Sequence, residues 1–338
     1  MAESIFRIKK AVNGIKGRRL GLSGPIKIQS VKQIKSGETH YNYLLIINSR
    51  NFLLRLTSVR KDNKGKNSWG AARINMEFDG IKSIEKLGIA PKVHYKDTSC
   101  RVLSKPFVIS DYVPGEPVIR MTKKDLKSLA FLLAELHRIH DVNGLRSEPV
   151  KDYNKGYIKK RVDMITDTGF RYVNRHFKTD LMEAHRKIEH IRLKKQKLSL
   201  IHGDISKDNL LRTENGLKLI DWESVRLSEP QFEIATALER LNLNGQKRKL
   251  FLSEYLKHSE KASLDELEDY EKIRCFDRLL WAISEFVKLK EGITEKEKAR
   301  QKSPLKYARN AHKEFLRCKS LDLFPKESVF IILSNPKV

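Results

Sequence analysis

The chain is poor in cysteine and has no long apolar segment. Its three cysteines, Cys100, Cys275 and Cys318, show neither the spacing of a zinc site nor that of a disulfide framework. No apolar run approaches the length of a membrane span, and the first residues lack the apolar core of a signal peptide. Internal repeats and low-complexity tracts are also missing. These absences predict a soluble, cytoplasmic protein without membrane contact and without a metal centre held by cysteines.

Acidic residues are scarce relative to basic ones. The sequence holds 42 Asp and Glu against 68 Lys and Arg, which gives a formal net charge of +26. Charge runs are most often solvated faces, and thermophile surfaces are rich in charge of both signs. An excess this one-sided favours an anionic partner instead, because each contact with a phosphate backbone releases counterions.

The most informative segment, residues 199–223, reads SLIHGDISKDNLLRTENGLKLIDWE. An apolar strand delivers His202-Gly203-Asp204, and Asn209 follows five residues later. A hairpin signal, Asn-Gly, then leads into a second apolar strand that ends at Asp221. Phosphoryl transfer needs a carboxylate near the attacking hydroxyl and oxygen ligands for Mg²⁺. The joint pattern offers both, with Asp204 as base and Asn209 and Asp221 as ligands.

Each part of this pattern also has a simpler explanation. His-Gly-Asp can be a turn at the end of a strand, and Asn-Gly between apolar runs is an ordinary hairpin. An aspartate after a strand is more often a helix cap than a ligand. The succession of strand, loop, asparagine, hairpin, strand and aspartate favours the catalytic interpretation over these.

The segment resembles the catalytic and metal-binding loops of the aminoglycoside phosphotransferase and choline kinase-like superfamily, which is related to the protein kinases. The resemblance implies ATP and Mg²⁺ as cofactors, with Asp204 as catalytic base and Asn209 and Asp221 on the metal. It also implies that His202 braces the loop. Glu233 stands where the family has a bracing aspartate, and the same supporting role is expected of it.

The resemblance extends to the N-terminal part of the chain. A short loop containing Gly37 precedes two strands and is similar to the hairpin that covers the nucleotide phosphates in this family. Arg55 falls at the family's phosphate-contacting basic position, and Glu77, on a helix predicted over residues 77–87, would pair with it. The two charges can also be read as an exposed pair of little energetic weight. The β-rich run from 107 to 116 resembles the hinge, where backbone groups of Ser110 and Tyr112 would bind adenine.

The expected fold is therefore α+β and bilobal, like that of the protein kinases. A small antiparallel sheet would form an N-terminal lobe over residues 1–109, and a larger, mostly helical lobe would span residues 110–338. Length and a hydrophobic content of 40% agree with two lobes that have real cores. Helices are predicted over 126–140, 232–243, 247–258 and 264–290. In the superfamily, the last three such helices build the acceptor side of the cleft.

The net positive charge of the chain favours an anionic acceptor over a cationic one. Aminoglycosides and choline are cations, and a strongly basic protein repels them at long range, whereas RNA is attracted. The superfamily includes archaeal kinases of a ribose 2′-hydroxyl in tRNA, and this chain's charge and fold are similar to what that role requires. We therefore predict RNA, and tRNA in particular, as the acceptor. The predicted RNA-binding residues are Lys159, Lys160, Arg161, Arg171, Arg175, Lys194 and Lys195.

Two other functions stay open from the sequence. A small-molecule kinase of the aminoglycoside or choline kinase type would be basic only because its host's proteins are basic. A non-catalytic RNA-binding protein on a kinase scaffold is the other, although such proteins usually lose a base or a metal ligand. A protein kinase is disfavoured because no separate activation segment follows Asp221. The sequence does not indicate the oligomeric state or whether ATP or GTP is preferred. No metal besides magnesium is expected.

Overall fold

The computed structural model describes residues 3–34, 40–57, 68–259, 263–293 and 303–332. Contacts between residues divide the chain into two compact units. The first comprises Met1–Ser147, Ser199–Leu227 and Leu243–Lys261, and the second comprises Glu148–Leu198, Ser228–Asn242 and Ala262–Val338. The lobe boundary expected at residues 109 and 110 was drawn on the family's hinge, and it stays a prediction.

A five-stranded antiparallel sheet dominates the first unit, with the strand order β1-β2-β3-β5-β4. Its strands are β1 (Ile28–Ile34), β2 (His40–Ile47), β3 (Arg50–Thr57), β4 (Val93–Asp97) and β5 (Phe107–Asp111). β2 and β3 form a tight hairpin in which Asn42 lies opposite Arg55. On its other side, β3 pairs with β5, where Arg55 lies opposite Val108. Arg55 thus lies on the central strand of the sheet.

The core of this sheet is aliphatic and aromatic. Along β2, Tyr43, Leu45 and Ile47 are buried at alternate positions, which is the period of a strand with one face on a core. The helix α1 (Ile5–Asn13) adds its apolar face to the same core, and the Ser4 hydroxyl caps it by accepting the N–H of Arg7. The strand predicted over residues 44–47 therefore lies within β2, and its alternate residues face the core.

The first unit also holds three helices and the short strands of the motif segment. The helices are α2 (Ser68–Ser83), α3 (Lys123–Leu136) and α8 (Gly245–His258). β6 (Glu116–Pro117), β8 (Leu210–Thr213) and β9 (Gly216–Leu219) form one ladder, and β7 (Ser199–Ile201) pairs with β10 (Arg226–Ser228). α3 begins with a capping box in which Thr122 and Asp125 bond each other's backbone N–H groups.

The second unit is helical. Its helices are α4 (Val150–Tyr153), continued by a π-helical turn (Asn154–Ile158), α5 (Lys159–Asp167), α6 (Arg175–His190), α7 (Pro230–Arg240), α9 (Leu267–Lys290) and α10 (Pro304–Ser320). α9 is central, because α5, α7 and α10 all pack against it. Within the described part of the chain, no helix combines the length and the apolar composition that crossing a membrane requires.

The predicted α+β class is confirmed: an antiparallel sheet precedes a mostly helical remainder, as in the kinase-like proteins compared below. The strands and the later helices lie within a few residues of their predicted bounds. The helix of Glu77 differs most, because α2 begins at Ser68 and ends at Ser83, and a separate 3₁₀ turn covers Glu85–Leu87. Two glycines, Gly70 and Gly80, weakened the helical signal in this stretch.

Candidate active site

Arg55 connects the two acidic residues that the sequence assigned to the phosphate end of the site. Its guanidinium donates to Oδ1 of Asp221 at 2.6 Å and lies 3.3 Å from Oε1 of Glu77. The Arg55 and Glu77 side chains are both buried, whereas about a third of the Asp221 side chain is exposed. The predicted pairing of Arg55 with Glu77 is therefore present, and it is not a surface ion pair. The contact with Asp221 adds a third member that the sequence had placed only on the metal.

Two carboxylates share this one guanidinium, and their pKa values move apart. Burial acts to raise the pKa of Asp221, but the charge of Arg55 outweighs it and leaves the pKa lowered. Burial raises the pKa of Glu77 to about 7; Arg55 opposes the rise, and the charges of Asp221 and Glu223 add to it. Oε2 of Glu77 is buried and accepts no hydrogen bond from the described residues. The nearer carboxylate is thus ionised, and the farther one titrates near neutrality.

Asp221 occupies a backbone conformation that few residues adopt. It follows β9 and Ile220, its φ angle is 65°, and it lies in the left-handed region. Aspartate tolerates this region better than most residues because its short polar side chain can bond locally. The N–H of Ile220 donates to the carbonyl of Asn209 at 3.0 Å, which joins the strand before Asp221 to the catalytic loop.

His202 links the same two segments through its ring. Nε2 lies 3.0 Å from the carbonyl oxygen of Ile220, and Nδ1 lies 3.3 Å from the N–H of Asp204. A carbonyl only accepts and an N–H only donates, so the proton is on Nε2 and Nδ1 is the acceptor. The buried ring also packs against Trp222 at 4.6 Å. These contacts are those expected of a residue that braces the loop.

Gly203 is required at its place in the loop. Its φ angle is +83°, and a Cβ atom there would lie 2.4 Å from both the Ser224 carbonyl oxygen and a nitrogen of Arg226. Any side chain would therefore push the loop away from the turn that follows Asp221.

Asn209 is oriented by Asp204. Its Nδ2 donates to the backbone carbonyl of Asp204 at 2.8 Å and to Oδ2 of the same residue at 3.1 Å. Both amide protons are thereby used, and Oδ1 accepts no hydrogen bond from the described residues. An amide oxygen and the Asp221 carboxylate are the oxygen donors that Mg²⁺ prefers. The residues present therefore fit a magnesium ion held by Asn209 and Asp221.

One face of α2 packs against the turn that follows Asp221. Arg73, Glu77 and Gly80 recur at helical spacing and therefore lie on the same side of the helix. Arg73 contacts Oε2 of Glu223 at 3.0 Å, and Gly80 lies against Val225. Glu77 reaches the same turn through Arg55. The helix thus positions the glutamate and also touches the turn after Asp221 directly.

Glu223 and His40 extend this network. Nδ1 of His40, on β2, lies 3.1 Å from Oε2 of Glu223. The potential ligand atoms of His40, Asp221 and Glu223 lie within 4.8 Å of one another, a grouping that is able to hold a cation. An arginine already contacts each of the two carboxylates, Arg55 on one and Arg73 on the other. We therefore assign no separate metal to these three residues.

Four further residues were also predicted to belong to the site: Gly37, Ser110, Tyr112 and Glu233. Gly37 lies outside the described residues. The N–H of Tyr112 donates to the carbonyl of Asn51 at 3.1 Å, so a backbone bond from Tyr112 to adenine would need its carbonyl. Ser110 lies opposite Leu53 on one side and Val93 on the other, within the sheet. Glu233 is fully buried on α7, in the second unit. Nucleotide binding by Ser110 and Tyr112, and support by Glu233, stay predictions.

The predicted RNA-binding residues fall into three groups. Arg161 turns inward to an ion pair with Asp277, which removes it from a surface role. Lys159 pairs with Asp163, and Arg171 pairs with Glu291, although both basic side chains are half exposed. The remainder are exposed, and their side chains form no ion pair with a carboxylate among the described residues: Lys160, Arg175, Lys194 and Lys195.

Sequence reasoning missed Arg73, Glu223, His40 and Gly80. Glu223 follows Asp221 by two residues, and the spacing of Arg73, Gly80 and Glu77 marks one helix face, so these signals were present. These signals could be interpreted only once the structure showed that the turn after Asp221 packs against α2. His40 had no local signal, because its partner lies 183 positions away in the chain.

Comparison with known proteins identifies the family to which these loops belong. Residues 30–275 match the phosphotransferase enzyme family, and this range includes every residue of the site described above. The chain belongs to this family. The predicted resemblance is thereby confirmed, and the enzyme class predicted from it, a phosphotransferase of the kinase type, is the class that the family carries.

Individual relatives are distant. A LicA homolog from Mycoplasma capricolum subsp. capricolum is 24% identical over 150 residues, which are 44% of this chain and 57% of that protein. The choline kinase from Cryptosporidium parvum Iowa II superposes with a TM-score of 0.62 at 16% identity and covers 94% of both chains. APH(2″)-IIia, solved with GDP and kanamycin, has a TM-score of 0.56 at 20% identity, covering 88% of this chain and 94% of its own. The two solved structures establish the fold of this chain.

The close approach of Gly80 to Val225 predicts an unfavourable effect of Gly80→Ala. The added Cβ would lie 2.8 Å and 3.0 Å from the two methyl carbons of Val225, so we expect a loss of about 1–3 kcal/mol in the free energy of unfolding. Gly156→Ala is the matched control, because its Cβ meets nothing within 4 Å. Alanine there should be neutral or stabilising by up to about 1 kcal/mol. Urea unfolding of both variants tests this, and equal effects would contradict the contact.

The raised pKa of Glu77 predicts a stability that falls with pH. A carboxyl group that titrates near 7 when folded and near 4.5 when unfolded favours the folded state fully below pH 4.5. This contribution is lost as the pH rises through about 7, so the free energy of unfolding should fall by roughly 2–4 kcal/mol more in the wild type than in Glu77→Gln. Urea titrations at pH 5 and pH 8 measure the difference.

The control for this experiment is Glu116→Gln, which changes an exposed glutamate on β6. It should follow the wild-type pH dependence. A Glu77→Gln profile parallel to the wild type would show that Glu77 is ionised throughout and that Arg55 neutralises both carboxylates.

Proposed function

We propose that the protein transfers the γ-phosphate of ATP to a hydroxyl group of RNA, namely a ribose 2′-hydroxyl of tRNA. The family, the complete set of catalytic-loop residues and the Arg55 pair support the phosphotransferase part. The observation that carries the anionic acceptor is that the protein's own arginines occupy the aromatic and acidic groups of the acceptor-side helices. The proposal is built in two steps, chemistry first and acceptor second.

Asp204 is suited to accept the proton of the attacking hydroxyl. Asn209 bonds one of its carboxylate oxygens and its backbone carbonyl, and the Nδ1 of His202 accepts its N–H, so the side chain is held from two sides. As the hydroxyl oxygen bonds to the γ-phosphorus, the bond from that phosphorus to the bridging oxygen breaks, and the electron pair leaves with ADP. Such positioning supplies most of the catalysis in phosphoryl transfer.

Asn209 and Asp221 would hold magnesium, which when bound neutralises charge on the nucleotide phosphates. Arg55 would contact the same phosphates from β3. Its pKa is raised, because the charges of Asp221 and Glu77 outweigh the effect of burial, so it keeps its charge at every relevant pH. The GDP in APH(2″)-IIia supports a nucleotide as the donor.

The acceptor-side helices are built against a cationic substrate. A choline-like cation is bound by aromatic faces with carboxylates nearby. Here, Arg274 lies over the Phe232 ring at 5.3 Å, and Arg278 lies over the Trp281 ring at 4.3 Å. Asp277 is bonded by Arg274 as well as by Arg161. The faces and the carboxylate that would receive a cation are therefore already covered by guanidinium groups.

Arg278 makes this region a place for an anion. Burial lowers its pKa to about 10; the charges of Arg240 and Arg274 add to the effect, and the charges of the buried Glu239 and Glu314 oppose it. The described residues provide no carboxylate within 4 Å of its guanidinium, and its Nε has no hydrogen-bond partner. A phosphate would offset the repulsion among the three arginines, whereas a second cation would increase it. Together with the net charge of +26, this supports RNA over aminoglycosides and choline.

A small-molecule kinase is the second candidate. The similarity to a LicA homolog, over 57% of that protein, and to a choline kinase supports it. Such an enzyme would bind its acceptor in an acidic or aromatic pocket away from the arginines just described. It would also turn over its substrate at a rate that added RNA does not change.

The chemistry predicts that Asp204→Asn and Asp221→Asn each lower kcat by a factor of about 10² to 10⁴. Both substitutions keep the shape of the side chain, and asparagine tolerates the left-handed conformation of residue 221, so the melting temperature should change little. Asp208→Asn, an exposed aspartate in the same loop, is the control and should keep full activity. Wild-type turnover by either active-site variant would overturn the assignment.

The acceptor is tested with γ-labelled ATP and Mg²⁺ in parallel reactions that contain total tRNA, choline or kanamycin. We expect label in tRNA only, lost with Asp204→Asn, and alkali-resistant at the labelled nucleotide because its 2′-hydroxyl is blocked. Label in choline or kanamycin that is indifferent to added tRNA would establish the small-molecule kinase instead.

A further inference from the structure

The second unit contains a cavity that the phosphotransferase chemistry does not use. It measures about 500 Å³ and lies between α6, the extended segment 191–198 and the residues around α4. Pockets of this size hold ligands as large as a nucleotide. All residues that line it belong to the second unit.

The walls of the cavity are largely aliphatic. Ile158, Ile188, Ile191, Leu193 and Leu198 line it. His185 joins them from α6; burial lowers its pKa despite the opposing charge of Glu189, so the ring is neutral at pH 7. The interior therefore suits a flat, uncharged group of low polarity.

The rim of the cavity is basic. Lys151, Lys194 and Lys195 line it and are exposed. Three carboxylates are also near. Glu229 accepts the N–H of Val150 and the hydroxyl of Ser228, Glu189 lies half exposed beside His185, and Glu266 accepts the backbone N–H of Lys194 at 3.2 Å. Among the described residues, none of the three forms an ion pair with the ammonium group of a rim lysine.

Asn154 adds a polar group to the wall. Its Oδ1 is buried and accepts no hydrogen bond from the described residues. Leaving a buried acceptor without a donor costs about 1–3 kcal/mol, so a rotation of the Asn154 side chain that turns its amide oxygen toward a ligand N–H in the cavity would be favoured. The amide of Gln196, in contrast, already donates to the Tyr270 hydroxyl at 2.8 Å.

We infer that this cavity receives one unstacked nucleotide of the acceptor RNA, with its base among the aliphatic side chains and its neighbouring phosphates on Lys151, Lys194 and Lys195. The inference rests on the proposed function, and it assigns a binding site separate from Asp204 and Asp221. An exocyclic amino group of the base would donate to Asn154. Proteins that recognise structured RNA read splayed-out bases in this manner, because bases in an A-form helix are hard to reach.

RNA fits these features better than other anions. A fatty acid or lipid would use the aliphatic wall and one cation, but it would leave Asn154 without a donor and two lysines without a phosphate. A free mononucleotide would satisfy the interior and carries its phosphates at one end only. A nucleotide within a chain places phosphates on both sides of the base, and the lysines that line the cavity come from two separate segments, Lys151 from α4 and Lys194 and Lys195 from the extended segment 191–198.

The test compares tRNA binding by four variants at several salt concentrations. Lys194→Glu/Lys195→Glu alters the rim, and Lys247→Glu/Lys249→Glu makes the same change of charge on exposed lysines of α8. Leu193→Trp fills the cavity, and Leu256→Trp makes the same change at an exposed position of α8. Melting temperatures and circular dichroism confirm that each variant is folded.

We expect the rim variant to bind tRNA at least tenfold more weakly than its charge-matched control, with a salt slope reduced by about two. Leu193→Trp should weaken binding severalfold with the wild-type salt slope, and Leu256→Trp should bind like the wild type. Equal losses in the two lysine variants, or full binding by Leu193→Trp, would overturn the site while leaving the RNA kinase intact. A wild-type protein that neither binds nor labels tRNA would overturn both. Tight binding of AMP that neither ATP nor tRNA displaces, and that Leu193→Trp abolishes, would assign the cavity to a free nucleotide and overturn the inference.

Discussion

The structure of the site depends on one guanidinium shared by two carboxylates. Arg55 lies on the central strand β3, Glu77 on α2 and Asp221 in the turn after β9, so a single buried charge ties three separate segments together. Removing Arg55 would leave its two acidic partners without a counter-charge, and this costs more than the loss of a surface ion pair. The arrangement is asymmetric: the closer and more exposed Asp221 stays ionised, and the enclosed Glu77 gains or loses its proton near neutral pH. The site therefore holds a carboxylate ready for a cation and a carboxyl group whose charge depends on its surroundings.

Much of this site could be predicted from the sequence, because most of its residues lie close together along the chain. His202, Asp204, Asn209 and Asp221 lie within twenty residues of one another, and their spacing follows from one loop and one hairpin. The strands around Arg55 are short apolar runs on either side of a turn at residues 49–51, so their positions were also predictable, whereas their inward faces were not. The features that could not be predicted depend on contacts between distant segments. Gly70 and Gly80 weakened the helical signal of α2, and Gly80 is needed there because Val225 approaches so closely.

The second unit shows the same dependence on contacts between distant segments. The number of its basic residues follows from the sequence, but the direction in which each side chain points does not. Arg161 reads in the sequence as one more positive charge beside Lys159 and Lys160, yet it turns inward to Asp277, a residue 116 positions away. Arg274 and Arg278 belong to a helix that reads as ordinary amphipathic structure, and only packing shows that they cover Phe232 and Trp281. Net charge alone therefore does not show which basic side chains are exposed, whereas the fold does.

The single face of α2 formed by Arg73, Glu77 and Gly80 has a consequence for control of the enzyme. In kinase-like folds, displacement of the helix that carries the paired glutamate is a common way to switch activity off. Here, such a displacement would have to break an ion pair to Glu223, the bond network of Arg55 and the contact with Val225 in one step. The helix and the turn after Asp221 are consequently coupled, so a shift of either one requires the other to move or these contacts to break.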